Sequence, residues 1–270
     1  MAILRTLLQQ SRLPPLETRM LWQHVLQVPR AWLIAHDDAH IAPDQLQAFR
    51  VLENRRQAGE PMAYILGTRE FMGHSFQVSP AVLIPRPETE LLVERAVELV
   101  DGGHATDVLD LGTGSGAIAV SIALACPQAQ VLATDLSAEA LEVARRNALA
   151  LGASVAFHQG SWYQALPEGK VFDLIVSNPP YIPVDDPHLT QGDLRFEPFS
   201  ALSDGLDGLE AYRAIIAGAP AHLRSGGRLY VEHGWDQAAA VQALLAQAGF
   251  LSVHSLPDLA GILRISGGHL

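Results

Sequence analysis

The densest chemistry in this chain lies at residues 171–183, V-F-D-L-I-V-S-N-P-P-Y-I-P. Asn178 offers a side-chain carbonyl acceptor and an amide donor, and Pro179 offers a carbonyl with no N–H of its own. Two acceptors at one point suit a planar NH2 group. With both of its hydrogens held, such a nitrogen is fixed and its lone pair is aimed out of the plane. Tyr181 can stack on a planar amide or base, or turn its π face toward a cation. The competing reading makes Asn178-Pro179-Pro180-Tyr181 only a rigid turn, because two prolines end a strand ladder and stiffen the peptide units that follow.

A second constellation lies upstream, at residues 107–117, D-V-L-D-L-G-T-G-S-G-A. Glycines permit a tight turn and let a ligand approach the backbone at the start of a helix. The spacing is G-x-G-x-G and not the dinucleotide G-x-G-x-x-G. Asp135 follows a further apolar run, 23 positions past Gly112. That is near the ~20 expected of a carboxylate accepting both hydroxyls of a ribose, although helix capping would also account for an acid there. Trp162, after Gly160 and Ser161, can pack on an adenine face or belong to the core. Arg86, set between Pro85 and Pro87, is held stiffly enough to contact a ligand.

These residues need strands to carry them. The apolar, β-branched run 172–177 reads as a buried strand, and ligands of parallel sheets sit outside the carboxyl ends of strands. Residues 107–111 and 130–134 read as strands, and so does a stretch around 155–157. Helices are expected over 118–125, from Ser137 onward, over 209–223 and over 237–248. Strands at 228–232, 250–253 and 262–265 complete the sheet. Upstream, residues 2–60 read as helices, with Ile3, Leu4, Leu7 and Leu8 at helical spacing, a break at Pro14-Pro15, a helix over 16–28, and another opened by Pro43 and Asp44. Residues 67–84 read as a strand pair around Gly73-His74. Residues 182–208 read as a long polar loop, of a length that is usually functional or disordered.

Bulk properties narrow the class. The 270 residues suit one large domain, or a domain with a small partner. The net charge is -11, and it is uneven. Residues 1–75 carry eight basic and seven acidic side chains, whereas residues 76–270 carry ten and 22. Such a balance opposes general nucleic-acid binding. The single Cys126 excludes an internal disulfide framework, and the 11 histidines lack metal-ligand spacing. There is no run of 18 apolar residues and no signal-peptide pattern, so a cytoplasmic protein is expected.

With D-L-G-T-G-S-G, the acid after the second strand and N-P-P-Y after the fourth, the chain resembles the class I S-adenosylmethionine-dependent methyltransferases. G-E-P-M-A-Y-I-L-G at 59–67, E-F at 70–71, L-I-P-R-P-E-T-E at 83–90 and R-F-E-P at 195–198 extend the likeness to the release-factor glutamine methyltransferase (HemK/PrmC) family. The resemblance implies a Rossmann-like α/β fold, with a seven-stranded sheet carrying one antiparallel strand and a small N-terminal helical bundle joined by a β-hairpin. The implied division is 1–66 for a substrate-docking bundle, 67–86 for the hairpin and 87–270 for the catalytic domain. It further implies that Asp110, Gly112, Thr113, Gly114, Ser115, Gly116, Asp135, Trp162 and Asn178 bind S-adenosylmethionine. Asn178, Pro179, Pro180 and Tyr181 would hold the substrate glutamine, with Asn178, Pro179 and Tyr181 at the reaction itself. The product S-adenosylhomocysteine, no metal, no membrane or direct nucleic-acid contact, a monomeric state and a release factor as protein substrate complete the expectation. A glutamine of a large-subunit ribosomal protein and an adenine amino group are the alternative methyl acceptors.

Overall fold

In a computed structural model describing residues 2–100 and 106–270, the chain divides into the units Met1–Thr68 and Arg69–Leu270. The first begins with β1 (Ala2–Ile3), α1 (Leu4–Gln10), α2 (Pro15–Leu26) and α3 (Arg30–Ala35). It continues with β2 (His40–Ile41), α4 (Pro43–Gln57) and α5 (Met62–Leu66). Ile3, expected on the first helix, instead pairs with His40 in a short antiparallel ladder. Proline at the first helical position opens α2 and α4, where its missing N–H costs nothing. The second helix stops at Leu26 and not Val28, because Gln27 turns into the left-handed region at φ 54°. Leu4, Leu21, Trp22, Leu33 and Phe49 form this unit's core, and Trp22 stacks on Phe49 with ring centroids 4.2 Å apart.

The second unit opens on a hairpin, β3 (Thr68–Phe71) and β4 (His74–Gln77). Its turn falls on Met72-Gly73, both at positive φ, one residue earlier than the sequence suggested. The hairpin is tied down at both ends. The Met72 N–H donates to Glu90 Oε1 at 2.8 Å, and Asn147 bonds both the N–H and the carbonyl of Gln77. After α6 (Glu90–Val100) the chain alternates strand and helix: β5 (Asp107–Leu111), α7 (Ala117–Ala125), β6 (Gln130–Asp135), α8 (Ala138–Leu151), β7 (Val155–Gln159) and β8 (Phe172–Ser177). Then come α9 (Phe199–Leu202), α10 (Glu210–Gly218), β9 (Leu223–Glu232), α11 (Ala238–Gln247), β10 (Leu251–Pro257) and β11 (Leu263–His269).

Seven strands form one sheet in the order β10-β11-β9-β8-β5-β6-β7. Neighbours from β9 to β7 are parallel, while β11 runs antiparallel to both β9 and β10. It is therefore the one reversed strand of the expected sheet. Side chains alternate across it. Val108, Leu174 and Val176 enter a core with α6 and α7, whereas Leu109, Leu111 and Ile175 enter another with α10 and α11. Both faces of the central strands are thus covered, which explains their continuous apolar runs.

The later elements depart from the sequence reading. The expected helix over 209–223 ends at Gly218 in a 3-10 turn, because Pro220 cannot continue it. Strand β9 begins at Leu223 and passes through Gly226-Gly227 with a register shift against β8, and β10 and β11 are longer than 250–253 and 262–265. Residues 182–208 are not featureless: they hold 3-10 turns at Pro187–Thr190 and Leu194–Phe196 as well as α9. Among the described residues no helix is long and apolar enough to cross a membrane, and no group of three or more His, Cys, Asp or Glu is placed to hold a metal.

Candidate active site

The carboxyl ends of β5, β6 and β8 meet around a cavity of about 540 Å³. The glycine loop after β5 forms one wall. The N–H groups of Gly112 and Thr113 both donate to the Thr134 carbonyl at 2.9 Å, which staples the loop to β6. Gly112 adopts φ 73° and Gly114 φ 56°, a region that favours glycine. A side chain at Gly112 would also meet the Trp162 ring at 3.4 Å, so the indole covers this stretch of bare backbone. Trp162 itself sits at φ 46°, an uncommon conformation for a bulky residue that is associated with functional sites.

Asp135 ends β6 and braces the loop. Its Oδ2 accepts from the Gly114 N–H and its Oδ1 from the Ser137 N–H, each at 2.8 Å. Burial raises its pKa while these two bonds oppose the rise. Each carboxylate oxygen keeps a further lone pair for a ligand. Helix capping falls instead to Ser137, whose Oγ accepts from the Ala140 N–H.

Asn178 follows β8. Its Nδ2 donates to Thr89 Oγ1 at 3.1 Å, which leaves Oδ1 as the acceptor of this amide. Thr89 closes a 3-10 turn from Pro87, and both Thr89 and Asn178 line the cavity. Arg86, the stiffly held cation, lines it as well and is ion-paired with the fully buried carboxylate of Glu197. Glu197 Oε2 also accepts from the Ile84 N–H at 3.0 Å. The two stretches P-R-P-E-T-E and R-F-E-P, 111 residues apart, are therefore one structural device. It holds residues 182–208 over the cavity rim, where Pro198, Ser200 and Ala201 complete the lining.

Of the expected site residues, Gly112, Thr113, Gly114, Ser115, Asp135, Trp162, Asn178 and Pro180 line this cavity. Asp110, Gly116, Pro179 and Tyr181 are not among its lining residues. Asp110 lies fully buried beneath the loop, where Thr113 Oγ1 donates to its Oδ2 at 2.6 Å and burial pushes its carboxyl up to about 7. Gly116 serves packing, since a Cβ there would come within 3.1 Å of Ala144 Cβ on α8. The Tyr181 ring packs against the core on the α10 and α11 face, its carbonyl accepts from Gln237 Nε2, and burial raises its phenol. Thr89 and Glu232 escaped the sequence reading, although Glu232 ends an apolar strand as Asp135 does.

Known proteins resemble this chain along its whole length. Residues 3–67 match the model of the PrmC N-terminal domain, and residues 87–190 match the methyltransferase small domain. A release factor glutamine methyltransferase of Bordetella pertussis is 61% identical over 270 residues, covering 100% of both chains. One from Xylella fastidiosa strain Temecula1 is 54% identical over 259 residues, covering 96% of this chain and 94% of the relative. Among solved structures, a Pyrococcus furiosus methyltransferase superimposes with a TM-score of 0.56 at 21% identity, covering 83% of this chain and 97% of that one. A Thermus thermophilus 16S rRNA N2 G1207 methyltransferase, solved with AdoMet and guanosine, gives 0.57 at 21% identity, covering 75% and 49%. These last two likenesses concern the fold alone.

Proposed function

The chain belongs to the release factor glutamine methyltransferase family, and on that premise we propose that it methylates a release factor. The acceptor is the side-chain amide nitrogen of the glutamine in a Gly-Gly-Gln loop, and the donor is S-adenosylmethionine. The observation that carries this reading is Asn178. Its donor end is committed to Thr89, so its acceptor end remains for an incoming NH2 group in the cavity that Asp135 and the glycine loop also line.

The donor set suits the cofactor. Gly112, Thr113, Gly114 and Ser115 line the cavity with a glycine-rich wall, Asp135 offers an acceptor pair for ribose hydroxyls, and Trp162 an aromatic face for adenine. When bound, S-adenosylmethionine supplies a methyl group already activated by its positive sulfur and departs as S-adenosylhomocysteine. The protein's task is therefore position and electrostatics.

An amide nitrogen is a poor nucleophile because its lone pair is delocalised into the carbonyl. Asn178 Oδ1 accepts one of its N–H groups, and the carbonyl of Pro179, set between the cavity-lining Asn178 and Pro180, accepts the other. They aim the lone pair and favour the positive charge that builds on nitrogen as the N–C bond forms. The methylated amide is then strongly acidic and loses one proton to water, so no base is needed before attack. Tyr181, held from behind by the core, stiffens the Pro179-Pro180 segment that carries the carbonyl. The acidic balance of residues 76–270 disfavours a phosphate backbone as partner and favours a protein amide.

Asn178→Ala tests the reading. Turnover on a release factor should fall by at least a hundredfold, in the range seen when one preorganised charge-stabilising group is removed. Retention of wild-type turnover would remove Asn178 from the reaction.

A further inference from the structure

Glu232 is a buried acid that the methyl transfer above does not use. It ends β9 at 2% exposure, with its Oε2 lacking a hydrogen-bond partner among the described residues. Parallel register sets Ser177 beside Val231, so the next residues along, Asn178 and Glu232, leave the sheet side by side. Thr89, itself buried, completes the group. Its Oγ1 accepts from Asn178 Nδ2, and the side chains of Thr89 and Asn178 both face the Glu232 carboxyl and favour its charged form.

A hydroxyl has one proton. Alone, Thr89 could accept from the Asn178 amide or donate to its oxygen, and the two ends of a carboxamide have nearly the same shape. Only a neighbour that accepts and never donates removes this ambiguity, and an ionised carboxylate is such a group. We propose that Glu232, facing the Asn178 amide directly and through Thr89, fixes which end of that amide faces the cavity. With the Thr89 proton drawn to Glu232, Thr89 can only accept from Nδ2, and Oδ1 is left toward the substrate. The reversed amide would set its own NH2 against the glutamine NH2, donor against donor. Glu232 and Thr89 are positioning residues here, and the inference rests on the reading of Asn178 as holder of the substrate amide.

The surrounding charges make the device sensitive to pH. Burial pushes the Glu232 carboxyl up to about 7, with Glu88 adding to the rise and Arg264 opposing it. Tyr181 and Tyr212 also feel its charge, and the Tyr212 hydroxyl donates to its backbone carbonyl at 2.9 Å. Once protonated, Glu232 can donate to Thr89, and the sense of the relay is lost.

The test measures steady-state methylation of a purified release factor across pH 5.5–8.5, with cofactor affinity measured in parallel. Thr89→Val, close in shape, should lower kcat by roughly tenfold or more, the scale of one misplaced hydrogen bond, while cofactor affinity stays within about twofold. Thr89→Ser should restore most of the rate. Wild type should lose kcat as pH falls through neutrality. Glu232→Gln, which can either donate or accept, should be several-fold slower at high pH and lack that acid limb. Wild-type kcat in Thr89→Val, equal loss in Thr89→Val and Thr89→Ser, or an unchanged acid limb in Glu232→Gln would overturn the relay. Should Thr89→Val fail to fold, the pH profile of Glu232→Gln decides alone. Asn178→Ala separates the two levels. If it is inactive while Thr89→Val is normal, only the relay fails; if it is fully active, the reading of the site fails with it.

Discussion

Replacing Asp135 with alanine should weaken S-adenosylmethionine binding by about 10- to 150-fold. The figure follows from what the carboxylate does. The two ribose hydroxyls share one carboxylate and regain water when it is lost, so the loss counts as about one net bond to a charged partner, about 1.5–3 kcal/mol. At ~1.4 kcal/mol per factor of ten, that is the range given. A second effect needs separating from the first. The same oxygens accept from the Gly114 and Ser137 N–H groups, so the variant also strips two backbone donors of their partners and loosens the glycine loop. Melting temperature without cofactor reports the second effect, and titration calorimetry with cofactor reports both. Asp135→Asn helps divide them. Its carbonyl can replace one oxygen, while its NH2 must face a backbone donor, so its affinity should fall between wild type and alanine. Cofactor affinity within twofold of wild type in both variants would refute the assignment of Asp135 to the ribose.

Three further outcomes are expected. Tyr181→Phe should keep most activity and stability, because the ring packs against the core, whereas Tyr181→Ala should lose both; equal losses in kinetic assays of the two would give the role to the hydroxyl. Glu197→Ala strips the buried partner from Arg86 and from the Ile84 N–H. A broken buried pair costs about 3–5 kcal/mol, which the partial exposure of Arg86 reduces to about 2–3 kcal/mol. At about 2–4 °C per kcal/mol for a domain of this size, calorimetry should show Tm falling by roughly 4–12 °C, and a fall below one degree would contradict the ion pair's role. Glu232, raised from 4.5 to about 7, binds more protons in the folded state than in the unfolded. Its contribution to stability is therefore fully present below pH 4.5 and is lost as pH rises through 7. Glu232→Gln should accordingly gain Tm relative to wild type at pH 8.5 but not at pH 4.5, and equal shifts at both would dismiss the buried charge.

Much of the frame was legible because it rests on local rules. The apolar runs of β5, β6 and β8 are long enough to mark strands buried on both faces, and each ends at a residue with chemistry. The glycine loop announces its own turn. What stayed hidden depends on partners far along the chain. Ile3 has helical spacing, yet an edge pairing with His40 claims it. Residues 224–227 fall between the expected helix and strand, yet β9 runs through them: β8 pairs with it at Leu223 and again from Arg228, and Gly226 and Gly227 are bonded to Leu270. The left-handed Trp162 has no local signature, and its position beside Gly112 appears only in the fold. Arg86 could be suspected of contacting a ligand, but its counter-charge at Glu197 is 111 residues away and invisible to any local pattern. Gly116 is likewise fixed from afar, since only the fold brings Ala144 against it.

The most direct test of the account is where the methyl group goes. Purified enzyme, labelled S-adenosylmethionine and, in parallel, an intact release factor, ribosomal proteins and DNA should give transfer to the release factor, with mass spectrometry placing one methyl on the glutamine of its Gly-Gly-Gln loop. Label on a ribosomal protein or on DNA with none on the factor, or a methyl at any other atom of the factor, would contradict it.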